Sequence, residues 1–344
     1  GSIAMADGPV LITGGAGFVG VLLARTLLNI GSLALNGAAP QAISTVTLVD
    51  RAQPPADLMA DTRVRAVVGD LNDLLASKSA LPAGTDLVFH LAAAVSAECE
   101  ADFDLGMRSN FAATHQLLEA CRAQTASGKQ PALVFASSLA VFGDSPQQPM
   151  PAVITDTSLP TPQGSYGIQK FIGEQMVADY ARKGFVKGRS VRLMTVSVRP
   201  GKPNGAASGF LSGMIREPLA NLSAQIPVPA STPVALASPA RTVEGILRAA
   251  EVSDEAWGAR TAVNLPALTT TVGEMAAALE KVAGPQATAL LDWKIDPAIE
   301  RLVSSWPSKV DAARARALGL QADTSFEDIV RGYIAGNPAA VSLK

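Results

Sequence analysis

Histidine and cysteine are scarce in this chain, with two of each among 344 residues. Two histidines leave little material for a histidine-ligated metal site or for a Ser-His-Asp triad. Cys99 and Cys121 lack the spacing of metal ligands, so we expect reduced thiols in a cytoplasmic protein without a metal. Since no apolar run reaches the ~18 residues that cross a bilayer, and no signal peptide is visible, we expect no membrane partner.

The chain also lacks an excess of either charge, because its net charge is −2 and both signs are dispersed. This balance argues against nucleic acid as a partner. Aromatic residues make up only 5% of the chain, whereas 48% of the residues are hydrophobic, mainly Ala, Val and Leu. That content suffices for a large core, and the length suggests about two domains.

The first motif is a short apolar run, 10–12, followed by glycines at positions 14, 17 and 20 and then by helical spacing over 21–28. Strand, glycine turn and helix in this order are typical of a dinucleotide-binding unit. Gly14 would permit the tight turn, Gly17 would admit a pyrophosphate, and Gly20 would let the helix pack closely on the strand. The alternative is an ordinary glycine-rich turn between a strand and a helix.

The second strand, 45–50, follows a loop over 31–44 and ends in Asp50. A carboxylate there would accept hydrogen bonds from ribose hydroxyl groups and repel a 2′-phosphate, which favours NAD over NADP. Arg51 weakens that preference because it could bind the phosphate, and Asp50 could instead be a helix cap. A third strand, 64–68, precedes Asp70, which could cap the next helix or bond the adenine amino group.

Further strands are predicted at 86–91, 132–135 and 189–198. The repeated strand–helix units indicate an α/β fold, a doubly wound parallel-sheet Rossmann domain. His90 lies inside an apolar run, so we expect a core histidine. Asn110 opens a helix and is counted among the cofactor-binding residues, although a buried Asn more often bridges backbone groups.

The chain changes character near residue 199. Helices are predicted at 207–220, 271–283 and 326–334, and the proline-rich stretch 226–239 allows only edge strands and loops. A helix over 240–251 and a strand over 261–265 would return to the sheet. We therefore expect an NAD-binding domain of residues 1–198 plus 240–268, and a smaller, mostly helical C-terminal substrate-binding domain of residues 199–239 plus 269–344.

Tyr166 and Lys170 stand four residues apart, which places them on one face of a helix. An ammonium group beside a phenol lowers the phenol pKa, so Tyr166 is a candidate proton acceptor. Ser137 and Ser138 end the 132–135 strand, where doubly wound sheets bind ligands. The alternative for the Tyr–Lys pair alone is a solvated helix face.

Together these motifs resemble the extended short-chain dehydrogenase/reductases, in their sugar-epimerase-like branch. The residues that carry the resemblance are Thr13–Gly20, Asp50, Gly69–Leu71, His90–Ala93, Ser137-Ser138 and Tyr166-x-x-x-Lys170. The resemblance implies that Tyr166 exchanges a proton with a substrate hydroxyl, that Lys170 lowers its pKa and bonds the nicotinamide ribose, and that Ser138 holds the substrate oxygen. The cofactor-binding residues we predict are Gly14, Gly17, Phe18, Val19, Gly20, Asp50, Arg51, Asp70, Leu71, Leu91, Ala92, Ala93, Asn110, Tyr166 and Lys170.

Two departures from the branch concern the substrate. Lys202 stands where sugar epimerases have a phosphate-binding Asn, and Leu139 stands where dehydratases have an acid. The segments 197–208 and 137–143 resemble one subgroup, whose members oxidise the C2 hydroxyl of the four-carbon sugar acid D-erythronate with NAD. Lys202 and Arg241 would supply cations for the carboxylate. The substrate-binding residues we predict are Ser96, Ser138, Tyr166, Lys202, Asn204 and Arg241.

Three alternatives stay open at this point. Arg199 is either a structural ion-pair partner or part of the site, and Arg241 and Lys202 could be structural or solvated. The chain could be a nucleotide-sugar 4-epimerase that retains its NAD, or a nucleotide sensor without catalysis. The resemblance also implies a homodimer that pairs through the helices beginning near Asp102 and Gly164.

Overall fold

The computed structural model describes residues 8–201 and 207–343. Its strands are β1 (Gly8–Thr13), β2 (Ser32–Leu33), β3 (Gln41–Asp50), β4 (Val64–Val68), β5 (Leu87–His90), β6 (Ala132–Ser138), β7 (Lys187–Leu193), β8 (Thr195–Val196), β9 (Ala224–Ile226), β10 (Pro233–Ala237), β11 (Val263–Asn264), β12 (Leu268–Thr271) and β13 (Leu291–Trp293).

Its helices are α1 (Phe18–Ile30), α2 (Ala56–Met59), α3 (Leu71–Ala76), α4 (Ser96–Ala101), α5 (Phe103–Gly106), α6 (Ala113–Ala123), α7 (Ser165–Arg182), α8 (Phe210–Leu219), α9 (Pro239–Glu251), α10 (Asp254–Trp257), α11 (Val272–Ala283), α12 (Pro285–Thr288), α13 (Pro297–Ser304), α14 (Ala313–Ala317) and α15 (Phe326–Gly336). A π-helical turn, Met107–Ala112, joins α5 to α6.

The main sheet has the strand order β11-β7-β6-β5-β1-β3-β4, all parallel, and β2 adds an antiparallel pair to the start of β3. Helices α1 and α9 pack on one face, whereas α6 and α7 belong to the other. This arrangement confirms the predicted doubly wound Rossmann fold. The strand order reverses between β1 and β5, and such a switch point opens a crevice at the carboxyl ends of the strands.

Three local predictions were wrong. Strand β3 begins at Gln41, because its first residues pair with β2, so the predicted loop over 31–44 is shorter. The strand predicted over 189–198 ends at Leu193, since Thr195 and Val196 pair with β10 in a different sheet. Asn110 does not open a helix. It lies inside the π-helical turn that continues from α5.

A second hydrophobic core lies outside the main sheet. It joins α8, α11 and α15 to the small sheets β12-β10-β8 and β13-β9, and its fully buried residues include Met214, Leu236 and Met275. Helix α9 packs on the main sheet, and strand β11 pairs with β7. The domain boundaries given above stay a prediction. Within the described residues, no helix is both long and apolar enough to cross a membrane.

Candidate active site

A cavity of about 580 Å³ follows the carboxyl ends of the main-sheet strands. The predicted cofactor residues that line it are Gly14, Gly17, Phe18, Val19, Gly20, Asp50, Arg51, Asp70, Leu71, Leu91, Ala92, Ala93, Tyr166 and Lys170. Of the predicted substrate residues, Ser96, Ser138 and Tyr166 also line it. The fold thus brings residues from six strand ends and from α7 into one crevice.

The glycine turn after β1 is shaped by close backbone approaches. Gly14 has a φ of 73°, in the left-handed region, and a Cβ on it would lie 2.9 Å from the Ala92 nitrogen. A Cβ on Gly20 would lie 2.1 Å from the Gly14 carbonyl oxygen, so α1 starts against the turn as predicted. Gly17 caps α1 without a side-chain hydrogen bond, which leaves first-turn N–H groups for an anion. The turn therefore fits a dinucleotide pyrophosphate.

The carboxylates at the ends of β3 and β4 are held by local contacts. Asp50 accepts hydrogen bonds from the Ala16 nitrogen at 3.0 Å and from the Ala52 nitrogen at 3.1 Å. Asp70 caps α3, which was one of the two roles predicted for it. It also forms an ion pair with Arg51 at 2.5 Å. Because Asp70 engages the Arg51 guanidinium, that side chain is less available for a 2′-phosphate.

Ser138 and Tyr166 meet where β6 ends against α7. The Ser138 hydroxyl accepts a hydrogen bond from the Ala140 nitrogen at 3.0 Å, and both Ser138 and Tyr166 line the cavity. Burial raises the pKa of Tyr166, although the nearby Ser138 hydroxyl and the charge of Arg199 oppose the rise. Our expectation of a lowered Tyr166 pKa was therefore wrong, because the cost of burying the charged phenolate outweighs those two effects.

Lys170 is buried, and its ammonium group contacts both the sheet backbone and the Tyr166 ring. The Lys170 Nζ donates a hydrogen bond to the Ala136 carbonyl oxygen at 2.8 Å and lies 5.6 Å from the centre of the Tyr166 ring. Burial lowers the pKa of Lys170 to about 8, partly offset by Cys99 and Glu174. Lys170 thus lies at the cavity floor, tied to the strand that carries Ser138.

A buried ion pair fixes α7 to the sheet one helical turn beyond Lys170. Glu174 accepts hydrogen bonds from Arg192 at 2.7 and 2.9 Å, and both side chains are less than 10% exposed. The Ser137 hydroxyl donates a third hydrogen bond to Glu174 at 2.5 Å. Because these contacts join α7 to β6 and β7, they hold the Tyr166 helix in register with the Ser138 strand end.

His90 is a core histidine, as predicted, and both of its ring nitrogens are hydrogen-bonded. The Thr13 hydroxyl oxygen accepts from the Leu91 and Ala92 nitrogens, so its hydrogen is left for His90 Nδ1 at 2.6 Å. His90 Nε2 then carries the proton and donates to the Thr114 hydroxyl at 2.8 Å. Burial lowers the pKa of His90 to about 3. This relay joins the backbone beneath the cavity to α6.

Asn110 does not reach the cavity, although we counted it among the cofactor-binding residues. It is buried, and its side chain accepts from the Ala94 nitrogen at 2.8 Å and donates to Gln169 at 2.9 Å. Asn110 thus has the alternative role that we considered, in which a buried Asn bridges backbone groups. Asn110 therefore orients the chain after β5 and touches α7 next to Lys170.

The predicted carboxylate cations are not brought together in the described part of the chain. Arg241 is absent from the cavity lining and pairs with Glu244 on the same helix at 3.2 Å. Lys202 and Asn204 lie outside the described residues. Lining residues that we did not predict include Thr195, Arg199, Ser208 and Trp306. The sequence contains only a weak signal for these residues, because only Thr195 closely follows a main-sheet strand and Trp306 is far in sequence from the other lining residues.

Comparisons with known proteins give a consistent family. Residues 10–231 match the pattern described as the NAD dependent epimerase/dehydratase family. The chain is 48% identical to a D-erythronate dehydrogenase of Cupriavidus necator over 94% of this chain and 97% of that protein. It is 38% identical to a D-erythronate dehydrogenase of Haemophilus influenzae over 94% and 98% of the two chains. Among solved structures, a nucleoside-diphosphate-sugar epimerase from Agrobacterium tumefaciens is similar, with 40% identity, a TM-score of 0.86, and coverage of 98% and 96%.

Proposed function

Because the chain belongs to the NAD dependent epimerase/dehydratase family, we propose that it oxidises the C2 hydroxyl group of D-erythronate to 2-oxo-tetronate with NAD. The observation that carries this proposal is the 48% identity to a D-erythronate dehydrogenase over nearly the whole of both chains. NAD is the cofactor of the family, which agrees with the cofactor predicted from the glycine turn and Asp50. The dehydrogenase names of both relatives agree with the predicted class of enzyme.

We assign the chemistry to Ser138, Tyr166 and Lys170. Bound NAD would supply the acceptor for the hydride that leaves C2 of the substrate. Ser138 would hold the C2 oxygen through its hydroxyl group, and Tyr166 would accept the proton of that oxygen as the carbonyl forms. Lys170 would bond the nicotinamide ribose and keep a positive charge near the phenol. The observations that support this assignment are that Ser138 and Tyr166 line the same cavity and that Lys170 lies against the Tyr166 ring.

The same proposal assigns parts of the chain to the two ligands. Residues 1–198 plus 240–268 would bind NAD, and residues 199–239 plus 269–344 would bind the sugar acid, with Lys202 and Asn204 among its contacts. The protein would act as a homodimer paired through α5 and α7, the helices that begin near Asp102 and Gly164. Phe103 on α5 and Ile168 on α7 are exposed apolar side chains on those helices, which supports such a contact.

A nucleotide-sugar epimerase is the second candidate, because a solved structure with that title is 40% identical to this chain. An epimerase returns the hydride to the sugar, so it produces no net NADH. A dehydratase is not supported, because the residue after Ser138, where dehydratases have an acid, is the buried Leu139.

The test is the oxidation of D-erythronate deuterated at C2. The proposal predicts a rise in absorbance at 340 nm, a primary isotope effect with the C2-deuterated substrate, and a product that o-phenylenediamine traps as a 2-oxo acid. D-erythronate deuterated at C3 is the control and should react at the normal rate. A 3-oxo product would lose carbon dioxide, and either that loss or a C3 isotope effect would overturn the assignment. Interconversion of UDP-sugars without NADH would favour the epimerase.

A further inference from the structure

Arg199 differs from the other buried or half-buried arginines of the described chain in its contacts. Arg189 pairs with Asp254, Arg192 with Glu174, and Arg216 with Glu217. The guanidinium of Arg199 makes no salt bridge and no side-chain hydrogen bond with any residue that the structure describes. It is only partly exposed, so its charge has lost part of its hydration without gaining an anion from the described part of the chain.

The backbone of Arg199 is fixed from both sides. The Arg199 N–H donates to the Ser212 hydroxyl at 3.0 Å, and its carbonyl accepts from Arg216 at 2.8 Å. Ser212 and Arg216 both lie on α8 and are buried, so the root of the Arg199 side chain is held by a packed helix. This cation is therefore positioned by the fold and is not a free surface arginine.

The side chain points from that root into the cavity. Arg199 lines the cavity with Ser138, Tyr166 and Ser208, and its guanidinium carbon lies 5.9 Å from the centre of the Phe18 ring. It is also close enough to the Tyr166 phenol for its charge to act on that group. Hence a cation without an ionic partner among the described residues lines the cavity together with the proposed proton acceptor, next to the first turn of α1.

We propose that Arg199 is the anchor for the carboxylate of the substrate, which makes the site selective for 2-hydroxy acids over neutral polyols. This inference rests on the proposed function, and it goes further by naming the residue that recognises the acid group. A carboxylate that bonds to the planar guanidinium fork would place C2, one bond away, near Ser138 and Tyr166. Arg241 is paired with Glu244 off the cavity and Lys170 is bonded to Ala136, whereas Lys202 lies outside the described residues and would at most add a second contact.

The rival anion is the dinucleotide pyrophosphate, because Phe18 opens α1. Two observations favour the carboxylate. The first turn of α1 already offers bare N–H groups to the pyrophosphate, and Arg199 acts on the Tyr166 phenol, where the reacting carbon must lie.

The test is calorimetric titration of the protein saturated with NADH, in which no turnover occurs. The ligands are D-erythronate and D-erythronamide, which keeps the hydroxyl groups but lacks the charge. Arg199→Met should weaken D-erythronate binding by ~10–150-fold, the value of a hydrogen bond to a charged group, and should leave D-erythronamide within about threefold. Arg199→Lys should recover part of the loss. Arg316→Met, at an exposed arginine paired with Asp311, is the matched control.

Four outcomes separate failure of this inference from failure of the proposed function. NADH affinity should stay within about twofold in Arg199→Met, and an equal loss of NADH affinity would identify a pyrophosphate contact instead. Equal losses for the acid and the amide would reveal a purely structural role and overturn the proposal. If the wild-type NADH complex binds D-erythronate but the wild-type protein does not oxidise it when NAD is supplied, the proposed reaction fails while the anchor is still judged by the variant. If no sugar acid of three to six carbons binds the wild-type complex, the anchor is overturned too.

Discussion

The neutral state of His90 should make the folded protein lose stability in mild acid. In the relay Thr13–His90–Thr114, Nδ1 accepts a hydrogen bond and Nε2 donates one. A second ring proton would have to displace the hydroxyl hydrogen of Thr13, whose oxygen already accepts from two backbone N–H groups. Burial therefore keeps the ring neutral and lowers its pKa to about 3.

The magnitude follows from linkage. An unperturbed histidine has a pKa of about 6.5, so the unfolded chain binds a proton at pH 5 that the folded chain does not. The unfolded state then holds more protons, and stability falls as the pH decreases from about 6.5 towards 3. Each pH unit in this window costs about 1.4 kcal/mol, so His90 should remove about 2 kcal/mol between pH 7 and pH 5. Above pH 6.5 the contribution is constant.

The assay uses the fact that the chain has only two histidines, His90 and His115. In NMR spectra of ring-labelled protein, His115→Gln assigns the signals. The His90 signal should keep the Nε2–H tautomer shifts from pH 5 to pH 8. In parallel, urea unfolding at pH 7 and pH 5 should show a drop that is about 2 kcal/mol smaller in His90→Gln, which cannot titrate, than in the wild type. A His90 signal that titrates with a midpoint near 6.5 would refute the relay and its tautomer.

Four further predictions concern the site and the helix that carries it. NAD should exceed NADP by at least ~10-fold in kcat/KM because Asp50 repels a 2′-phosphate, and equal values for the two cofactors would contradict that role. Tyr166→Phe should retain NAD binding and lose ~10²–10⁴ in kcat, and a loss below tenfold would remove Tyr166 as the proton acceptor. Lys170→Met should lose rate mainly in kcat, with the substrate KM within about threefold, and a pure KM effect would speak against it. Arg192→Met should lower the free energy of unfolding in urea by ~3–5 kcal/mol, because the buried Glu174 carboxylate loses its ionic partner. A change below about 1 kcal/mol would show that water hydrates the Glu174 carboxylate in the variant.

Patterns that are local in sequence predicted most of the fold. The glycine turn 14–20 worked because its function is set by backbone conformation, and Gly20 has no room for a Cβ beside the Gly14 carbonyl oxygen. Apolar runs located the inner strands, since strands buried on both faces cannot alternate with polar residues. The end of β7 was misplaced because the apolar pattern continues through Val196, while the chain leaves one sheet and joins another at that point.

Contacts between distant segments could not be predicted in the same way. Trp306 reaches the cavity from beyond α13, and no spacing rule links it to Ser138. The pKa of Tyr166 was mispredicted for a related reason. The spacing of Tyr166 and Lys170 gave the favourable charge, but the size of the burial penalty depends on everything packed around the phenol. The contrast between Arg192 and Arg199 likewise required the fold, because sequence alone does not show that Arg192 pairs with the buried Glu174 while Arg199 faces the cavity.

The position of Arg199 leads to a last prediction about pH, which rests on the carboxylate anchor. The groups that act on the Tyr166 phenol in the described residues are the Ser138 hydroxyl, Arg199 and the Cys99 thiol, with Lys170 beneath the ring. Arg199 lowers the pKa of Tyr166, so a bound carboxylate that offsets its charge should raise that pKa. In the proposed mechanism activity requires the deprotonated phenol, so it should rise with pH. At saturating NAD, kcat/KM reports the complex without substrate and kcat reports the complex with substrate. The acid limb of kcat should thus lie at higher pH than that of kcat/KM, and in Arg199→Met the limb of kcat/KM should itself move to higher pH, because the substrate-free complex has lost the cation that lowers the Tyr166 pKa. Coincident limbs in the wild type would mean that the carboxylate binds elsewhere.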